Sequence, residues 1–340
     1  MEVVIHSPTL STDRARELLS AMAACRVLVL GDVALDEYLV GQAGRLSREA
    51  PVPVLAFRRR FAVPGGAANP ARNISGLGAT ATLVSLVGDD EAAAELAELL
   101  RVDGIQASLV VDPERPTTLK TRIVAEGQSL PQQVARLDRQ SREAAGPEAV
   151  SALLEALTRG STDVDAILVS HYRSGVVTSD LAVAARTLAL RRGLFISADA
   201  QGDLERFEGY DLLRIGRQDA ARSLGRPLPD DAAVEASLRD LLERLQAGAV
   251  VLGRGGEGSS AMEAGGACLH LPPTNVSEVF DVTGAGDTAI AVLTLALVAG
   301  ASLREAAELA NAAAGCVVRR LGVAAPSAAE ILAELGTVNR

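Results

Sequence analysis

Residues 26–31 read Arg-Val-Leu-Val-Leu-Gly, an apolar run that ends on Gly31-Asp32. A strand with one face in water alternates apolar and polar side chains. An unbroken run therefore means burial on both faces, which is the condition of a parallel sheet covered by helices. Similar runs recur at 82–87, 166–170, 194–198 and 249–252. Between them lie Ala/Leu/Glu/Arg stretches of helical length, at 91–101, 147–159, 181–192 and 232–246. This alternation predicts an α/β fold, a doubly wound and mostly parallel sheet.

Two segments break the alternation. Residues 52–61 and 108–124 are strand-like, more polar, and have no helix between consecutive strands, which predicts a small antiparallel β lid over one edge of the sheet. Residues 11–24 predict an amphipathic helix, giving an N-terminal helical extension at 1–24. In the last third, helices at 288–299 and 303–319 follow one another directly, parted by Gly300-Ala-Ser302. With no repeat and no linker, the chain of 340 residues reads as one domain, 1–340.

Composition excludes more than it selects. Aromatic residues make up 2% and Trp is absent, so base-stacking platforms for single-stranded nucleic acid are not expected. A formal charge of −10 argues against a duplex-binding face, while leaving room for a locally cationic pocket. Cys25, Cys268 and Cys316 are widely spaced and form no CxxC pair, which fits a reducing compartment without zinc or disulfides. No basic region followed by an apolar core marks a signal peptide, and the most apolar helix, 288–297, is too short to span a bilayer. The expected setting is cytoplasmic, with neither nucleic acid nor membrane as a partner.

The strongest motif is Asp281-Val-Thr-Gly-Ala-Gly-Asp287, which runs straight into the apolar helix at 288–299. Gly284 and Gly286 permit close backbone approach, and the helix N-terminus turns free N–H groups and a positive dipole end toward the turn. Gly284, Ala285 and Gly286 thus form an anion hole, with Asp287 beside it as a base for an attacking hydroxyl. The plainer alternative is a glycine turn with an ordinary first-turn acid. Pro64-Gly-Gly-Ala-Ala-Asn69 lets a ligand approach the backbone at Gly65 and Gly66 and offers Asn69 as donor and acceptor for sugar hydroxyls, against the alternative of a helix-capping turn. Asp32 and Asp36 follow the first strand, where ligands of open α/β sheets gather, or else cap the next element. Arg254-Gly-Gly-Glu-Gly258 reads first as a hairpin and second as a nucleotide border at Gly255 and Gly258. Ser170-His-Tyr-Arg-Ser-Gly175 places His171 and Arg173 after a strand, where His171 is read as a satisfied strand-end histidine. There is no GxxxxGK[ST] loop, no GxSxG elbow, and no GxGxxG after the first strand, which disfavours a dehydrogenase.

In this order and combination, the motifs resemble the PfkB/ribokinase family of carbohydrate kinases over about residues 25–333. The early Gly-Gly-x-x-Asn and the late Asp-x-x-Gly-Ala-Gly-Asp resemble the family's two signatures. The resemblance implies a ribokinase-like fold and phosphoryl transfer from ATP with Mg2+ to a sugar or sugar-phosphate hydroxyl. It implies Asp36, Gly65, Gly66 and Asn69 at the sugar, Gly284–Gly286 at the transferring phosphate, and Asp287 as base. Thr283, Gly255, Gly258 and Asn311 would border the nucleotide, Arg136 would hold a distal phosphate, and a homodimer would form through the lid. Gly31-Asp-Val-Ala-Leu-Asp36, Ser47-Arg-Glu-Ala-Pro-Val-Pro-Val54 and Gln132-Gln-Val-Ala-Arg-Leu-Asp138 are similar to the branch that phosphorylates heptose 7-phosphate.

The chain departs from that branch at Ser170-His171-Tyr172, where Ser-Asp-Tyr is usual. The family's Asn-x-x-Glu, which arranges magnesium through water, aligns with Gly216-Arg-Gln-Asp219, leaving Asp219 as the metal-side residue. Two rivals stay open at this point: a kinase for another sugar or nucleoside, and a sugar- or nucleotide-binding homologue with impaired catalysis.

Overall fold

The computed structural model describes residues 10–127, 131–274, 282–320, 322 and 324–338. Its strands are β1 (Arg26–Gly31), β2 (Val33–Leu46), β3 (Pro53–Gly66), β4 (Thr80–Val87), β5 (Gln106–Val111), β6 (Leu119–Glu126), β7 (Gln132–Arg139), β8 (Ala166–His171), β9 (Phe195–Ala200), β10 (Leu212–Gly216), β11 (Ala249–Gly253), β12 (Ser259–Glu263) and β13 (Leu269–Leu271). Its helices are α1 (Thr12–Met22), α2 (Ala68–Gly76), α3 (Glu91–Val102), α4 (Pro147–Gly160), α5 (Ser179–Arg192), α6 (Arg217–Leu224), α7 (Asp231–Leu245), α8 (Ala285–Val298), α9 (Leu303–Val317) and α10 (Ala328–Val338).

Nine strands form the main sheet in the order β13-β12-β11-β10-β9-β8-β1-β4-β5. The seven from β11 to β5 are parallel, and β12 and β13 add an antiparallel edge. The continuous apolar runs behave as expected, since Val27–Leu30 and Ala166–Val169 are fully buried. One face packs on α1, α2, α8 and α9 through a core that includes Val27, Leu168, Leu293 and Leu309. The other packs on α4, α5 and α7 through Leu28, Val169, Leu181 and Leu241. Local signals set the helix starts. The side chains of Asp90, Thr178 and Asp230 each accept the N–H three residues on, and Ser302 with Glu305 closes a capping box. α1 is no loose extension, because Ala15, Leu18, Leu19 and Met22 are buried in the main core.

The lid is a separate four-stranded sheet in the order β3-β2-β6-β7. It differs from the sequence-based expectation in two ways. Residues 106–111, the last four of which open the expected 108–124 lid segment, form β5 and pair in parallel with β4 at the edge of the main sheet. The physical reason is α3, which completes a β4-α3-β5 crossover and delivers the chain back to the main sheet; only β6 of that segment joins the lid. The lid also takes in β2 and β7, outside the expected strands. β2 leaves the main sheet one residue after β1, and β3 returns antiparallel to it straight into α2. The lid core is small, with Tyr38, Val40 and Val124 buried and Tyr38 stacked on Phe61 at 4.7 Å. It leaves Leu46, Phe57, Val134 and Leu137 exposed.

One buried acid ties these parts together. Asp32, between β1 and β2, is 1% exposed and accepts the N–H groups of Tyr172 at 2.7 Å, Val176 at 3.0 Å and Ser174 at 3.3 Å. It therefore fixes the loop that follows β8. Asp32→Ala would strand those donors, and each hydrogen bond to a charged group is worth about 1.5–3 kcal/mol. A loss of roughly 3 kcal/mol or more of unfolding free energy is expected. Urea unfolding should read this as a lower midpoint at unchanged slope.

Candidate active site

Carboxyl ends of the parallel strands meet the lid base and the head of α8 at one place. β8 delivers Tyr172, β9 delivers Asp199, and β10 delivers Arg214, the register partner of Asp199. α2 starts directly beyond β3, so Gly65, Gly66 and Asn69 arrive together. Gly284, at φ 83°, is the N-cap of α8, and Asp287 sits in the helix's first turn. Asp281 and residues 275–280 lie outside the described residues.

Asp287 is 6% exposed, too enclosed for an ordinary first-turn helix acid. Asn69 Nδ2 donates to its Oδ2 at 2.8 Å, and the Tyr172 hydroxyl donates to its Oδ1. Asn69 is itself oriented by Asn73, whose Nδ2 donates to Asn69 O at 2.9 Å and Oδ1 at 3.2 Å. Burial, and next the neighbouring Asp199 carboxylate, push the Asp287 pKa up to about 7, while Tyr172, Asn69 and Arg214 pull the other way. A carboxylate poised there suits general-base work at neutral pH.

Arg214 is the cation of the site. Its Nη1 lies 3.0 Å from Asp199 Oδ1, and Asp199 is 2% exposed at its side chain. Burial works against the guanidinium charge, but Asp199 outweighs it and the pKa is raised. A Cβ on Gly286 would come within 2.5 Å of Arg214 Nη1, so glycine there lets the turn close on the guanidinium. The same guanidinium, with Ala285 and Gly286, lines a cavity of about 280 Å³ that extends to Gly255, Gly258 and Asn311. Four of its wall positions, Ala289, Ala307, Ala310 and Gly315, are small residues of α8 and α9, leaving a flat apolar slot. Asn311 accepts from Ser259 Oγ at 3.0 Å and donates to Pro272 O at 2.8 Å, so it also braces the wall. Residues 254–258 form the β11–β12 hairpin, the first of the two readings of that sequence. Thr283 stands in the turn before α8.

On the lid side, Asp36 is held in a buried ion pair by Arg122 at 2.7 Å, and a Cβ on Gly65 would strike the Asp36 carboxylate. Lys120, the register partner of Asp36, places its Nζ 5.0 Å from the Tyr172 ring centroid. Sequence reasoning passed over Lys120, Arg122, Arg214 and Asp199. Lys120 had a signal, since it is the only lysine in the chain. Arg136 lies on β7, where every residue is exposed, and is forked onto Asp138 at 2.8 and 3.0 Å.

Asp219 occupies the first turn of α6, 3.2 Å from Arg222, and lines neither this cavity nor the anion hole. Among the described residues there is no group of three or more His, Cys, Asp or Glu side chains able to hold a metal. With Gly216 in place of an amide and Asp219 already paired, these donors do not fit a magnesium ion held by the protein.

A Gly-Ala-Gly turn at a helix N-terminus, a buried acid and a small-residue nucleotide-sized slot, set under a β lid, define a sugar-kinase architecture. The chain belongs to the pfkB family of carbohydrate kinases, whose model matches residues 26–330. It is 41% identical over 326 residues to the "Bifunctional protein HldE" of Caulobacter vibrioides, covering 94% of this chain and 65% of that protein. The protein of the same name from Geobacter sulfurreducens is 38% identical over 321 residues, covering 94% and 64%. The chain thus spans slightly less than two thirds of the length of these curated relatives. Among solved structures, it is similar to the tetrameric inhibited form of phosphofructokinase-2 from Escherichia coli, with a TM-score of 0.76 at 19% identity over 93% of this chain and 100% of that one. It is also similar to Arabidopsis thaliana ribokinase complexed with ribose and ATP, with a TM-score of 0.70 at 19% identity, covering 92% and 99%. Among the described residues, no helix is long and apolar enough to cross a membrane.

The raised pKa gives a test with a definite sign. If Asp287 acts as the carboxylate, kcat/KM should fall with an apparent pKa of about 7 as pH drops. The Tyr172 hydrogen bond lowers that pKa, so Tyr172→Phe should move the acidic limb to higher pH. A pH–rate series on both proteins checks it; an unmoved limb would remove Asp287 from that role.

Proposed function

We infer that this protein transfers the γ-phosphoryl group of ATP to a hydroxyl of a phosphorylated sugar, with heptose 7-phosphate the first acceptor to try and its anomeric hydroxyl the reacting group. What carries the reading is one observation: the buried Asp287 carboxylate, held by Asn69 and Tyr172, at the head of α8 beside the Gly284–Gly286 turn. The curated relatives and the matched family support the same class of chemistry.

In this reading the nucleotide lies in the slot bordered by Gly255, Gly258 and Asn311, with its phosphates toward Arg214 and Gly286. The acceptor lies between Asp287 and the lid base, where Gly65, Gly66, Asn69, Asp36 and Lys120 offer polar contacts, and Arg136 meets its far end from the lid. The acceptor oxygen forms a bond to the γ-phosphorus, and the bond from that phosphorus to the β–γ bridging oxygen breaks. The hydroxyl proton passes to Asp287, and ADP leaves. Backbone N–H groups at the α8 N-terminus and the Arg214 guanidinium face the charge that builds on the transferring oxygens. Magnesium enters as part of the nucleotide substrate rather than on a protein-built site.

An ADP-release screen over sugars and sugar phosphates, heptose 7-phosphate included, identifies the acceptor. Asp287→Asn keeps size and hydrogen bonding but cannot take a proton, and loss of general-base catalysis costs about 10²–10⁴-fold in rate. Turnover should fall by that factor while nucleotide and acceptor affinities change little. A variant retaining more than about a tenth of the wild-type rate would exclude Asp287 as base. The departure at Gly216–Asp219, with Asp219 tied to Arg222, favours one second reading, a binding protein with impaired catalysis, and a wild type inert across the panel would strengthen it.

The lid supports a homodimer. Phe57 is 68% exposed and Leu137 70%, on a sheet whose own apolar cluster is small, built on Tyr38, Val40 and Val124. Large apolar side chains left in water on one face mark an association surface. Phe57→Glu should convert the species seen by analytical ultracentrifugation from dimer to monomer; a monomeric wild type would end this proposal.

A further inference from the structure

A second cavity, of about 670 Å³, opens beyond the C-terminal end of β8 and shares no lining residue with the first. Nothing in the proposed reaction uses it. Four guanidinium groups line it, from Arg142, Arg173, Arg206 and Arg222. The one acid in its lining is Asp203, which lies 3.7 Å from Arg173 and 3.5 Å from Arg206. Arg206 also donates to Val177 O at 2.5 Å, and Arg222 is paired outside the lining with Asp219. Among the described residues, Arg142 has no ion-pair partner. In a chain of net charge −10, such a concentration of cations is not a by-product of composition.

Two further features point into the same space. His171 is 1% exposed and lines the cavity, yet its Nδ1 has no hydrogen-bond partner, contrary to the satisfied strand-end histidine expected from sequence. The head of α5, at Thr178 and Ser179, also lines it, adding a helix N-terminus with its free N–H groups. Arg173 takes a left-handed backbone, φ 61°, which a non-glycine residue adopts at a cost and which the fold maintains here. Tyr172 stands between the two sites: it lines this cavity while its hydroxyl reaches Asp287.

We propose that this cavity is a binding site for a phosphate monoester dianion, held by the Arg142 and Arg173 guanidinium groups with Arg206, His171 and the α5 N-terminus. Planar arginine forks match phosphate oxygens in pairs, and a dianion satisfies the excess of guanidinium over carboxylate. The phosphate is either the remote group of the acceptor, reaching past Tyr172, or part of a separate phosphorylated molecule. Binding itself does not depend on the kinase reading, although the first source does.

The probe is inorganic phosphate, titrated calorimetrically into the full chain with the nucleotide slot filled by ADP. Arg142→Gln/Arg173→Gln should weaken phosphate binding at least tenfold with the melting temperature preserved. Arg142→Lys/Arg173→Lys, which keeps the charge, should retain most of the affinity. Equal phosphate affinity in wild type and the Gln pair overturns the proposal, whether or not the protein proves to be a kinase. Where turnover is measurable, kinetics separate the sources. A raised KM for the phosphorylated acceptor, with kcat and the KM of its unphosphorylated analogue unchanged, assigns the phosphate to the acceptor; Arg136→Ala run in parallel shows whether the lid shares it. Unchanged KM values with phosphate binding lost assign the cavity to a separate phosphorylated ligand.

Discussion

The site depends on a carboxylate that makes no direct contact with a reacting group. Asp32 gathers three backbone N–H groups of the loop after β8 and so converts an irregular segment into a fixed one. A buried backbone donor without a partner is costly, so the loop has one arrangement that satisfies all three. That arrangement sets the Tyr172 hydroxyl on Asp287 and the Arg173 backbone in its left-handed state. Asp32 follows β1 directly and β2 leaves for the lid one residue later, so the same acid ties the main sheet, the lid root and the loop after β8 together.

Around Asp287 the electrostatics are opposed rather than merely favourable. Burial and Asp199 favour the protonated acid, while Arg214, Asn69 and Tyr172 favour the carboxylate. Burial and Asp199 prevail, but the opposing groups hold the pKa to about 7. Asp199 has a double part in this balance. It raises the Asp287 pKa through its charge, and it keeps Arg214 charged and pinned beside Gly286. Removing either member of the Asp199–Arg214 pair would leave the other buried alone, so the pair is best regarded as one unit.

The sheet was legible in the sequence because its strands are buried on both faces and carry no polar alternation to confuse the period. Helices α3, α4, α5 and α7 were legible from composition, and each observed start lies within two residues of the one expected from sequence. The lid was read only in outline. β7 is exposed at every position, so no apolar period marks it, and β5 is an edge strand with only partial burial. Its parallel partner lies across a helix, a relation that local pattern does not encode. At the site, glycine signatures and the residues attached to them were readable because local geometry demands glycine. Arg214, Asp199 and Lys120 were not, since each reads as an isolated polar residue on a strand until the sheet register places it beside its partners.

β10 shows how departures from a family pattern are to be weighed. At its end, Gly216 carries no side chain, and Asp219 one turn later is tied to Arg222, so the polar reach expected there is reduced. Two residues before Gly216 on the same strand, Arg214 projects a half-buried guanidinium to the glycine turn. A fixed cation needs no reorganisation when charge develops on a transferring group, and its strength grows where water is excluded. The strand that gives up a neutral amide therefore still supplies the site with positive charge, in a form held by Asp199 rather than assembled through solvent. In the reaction inferred above, that charge would face the transferring phosphoryl group from two positions before Gly216, where the family pattern begins.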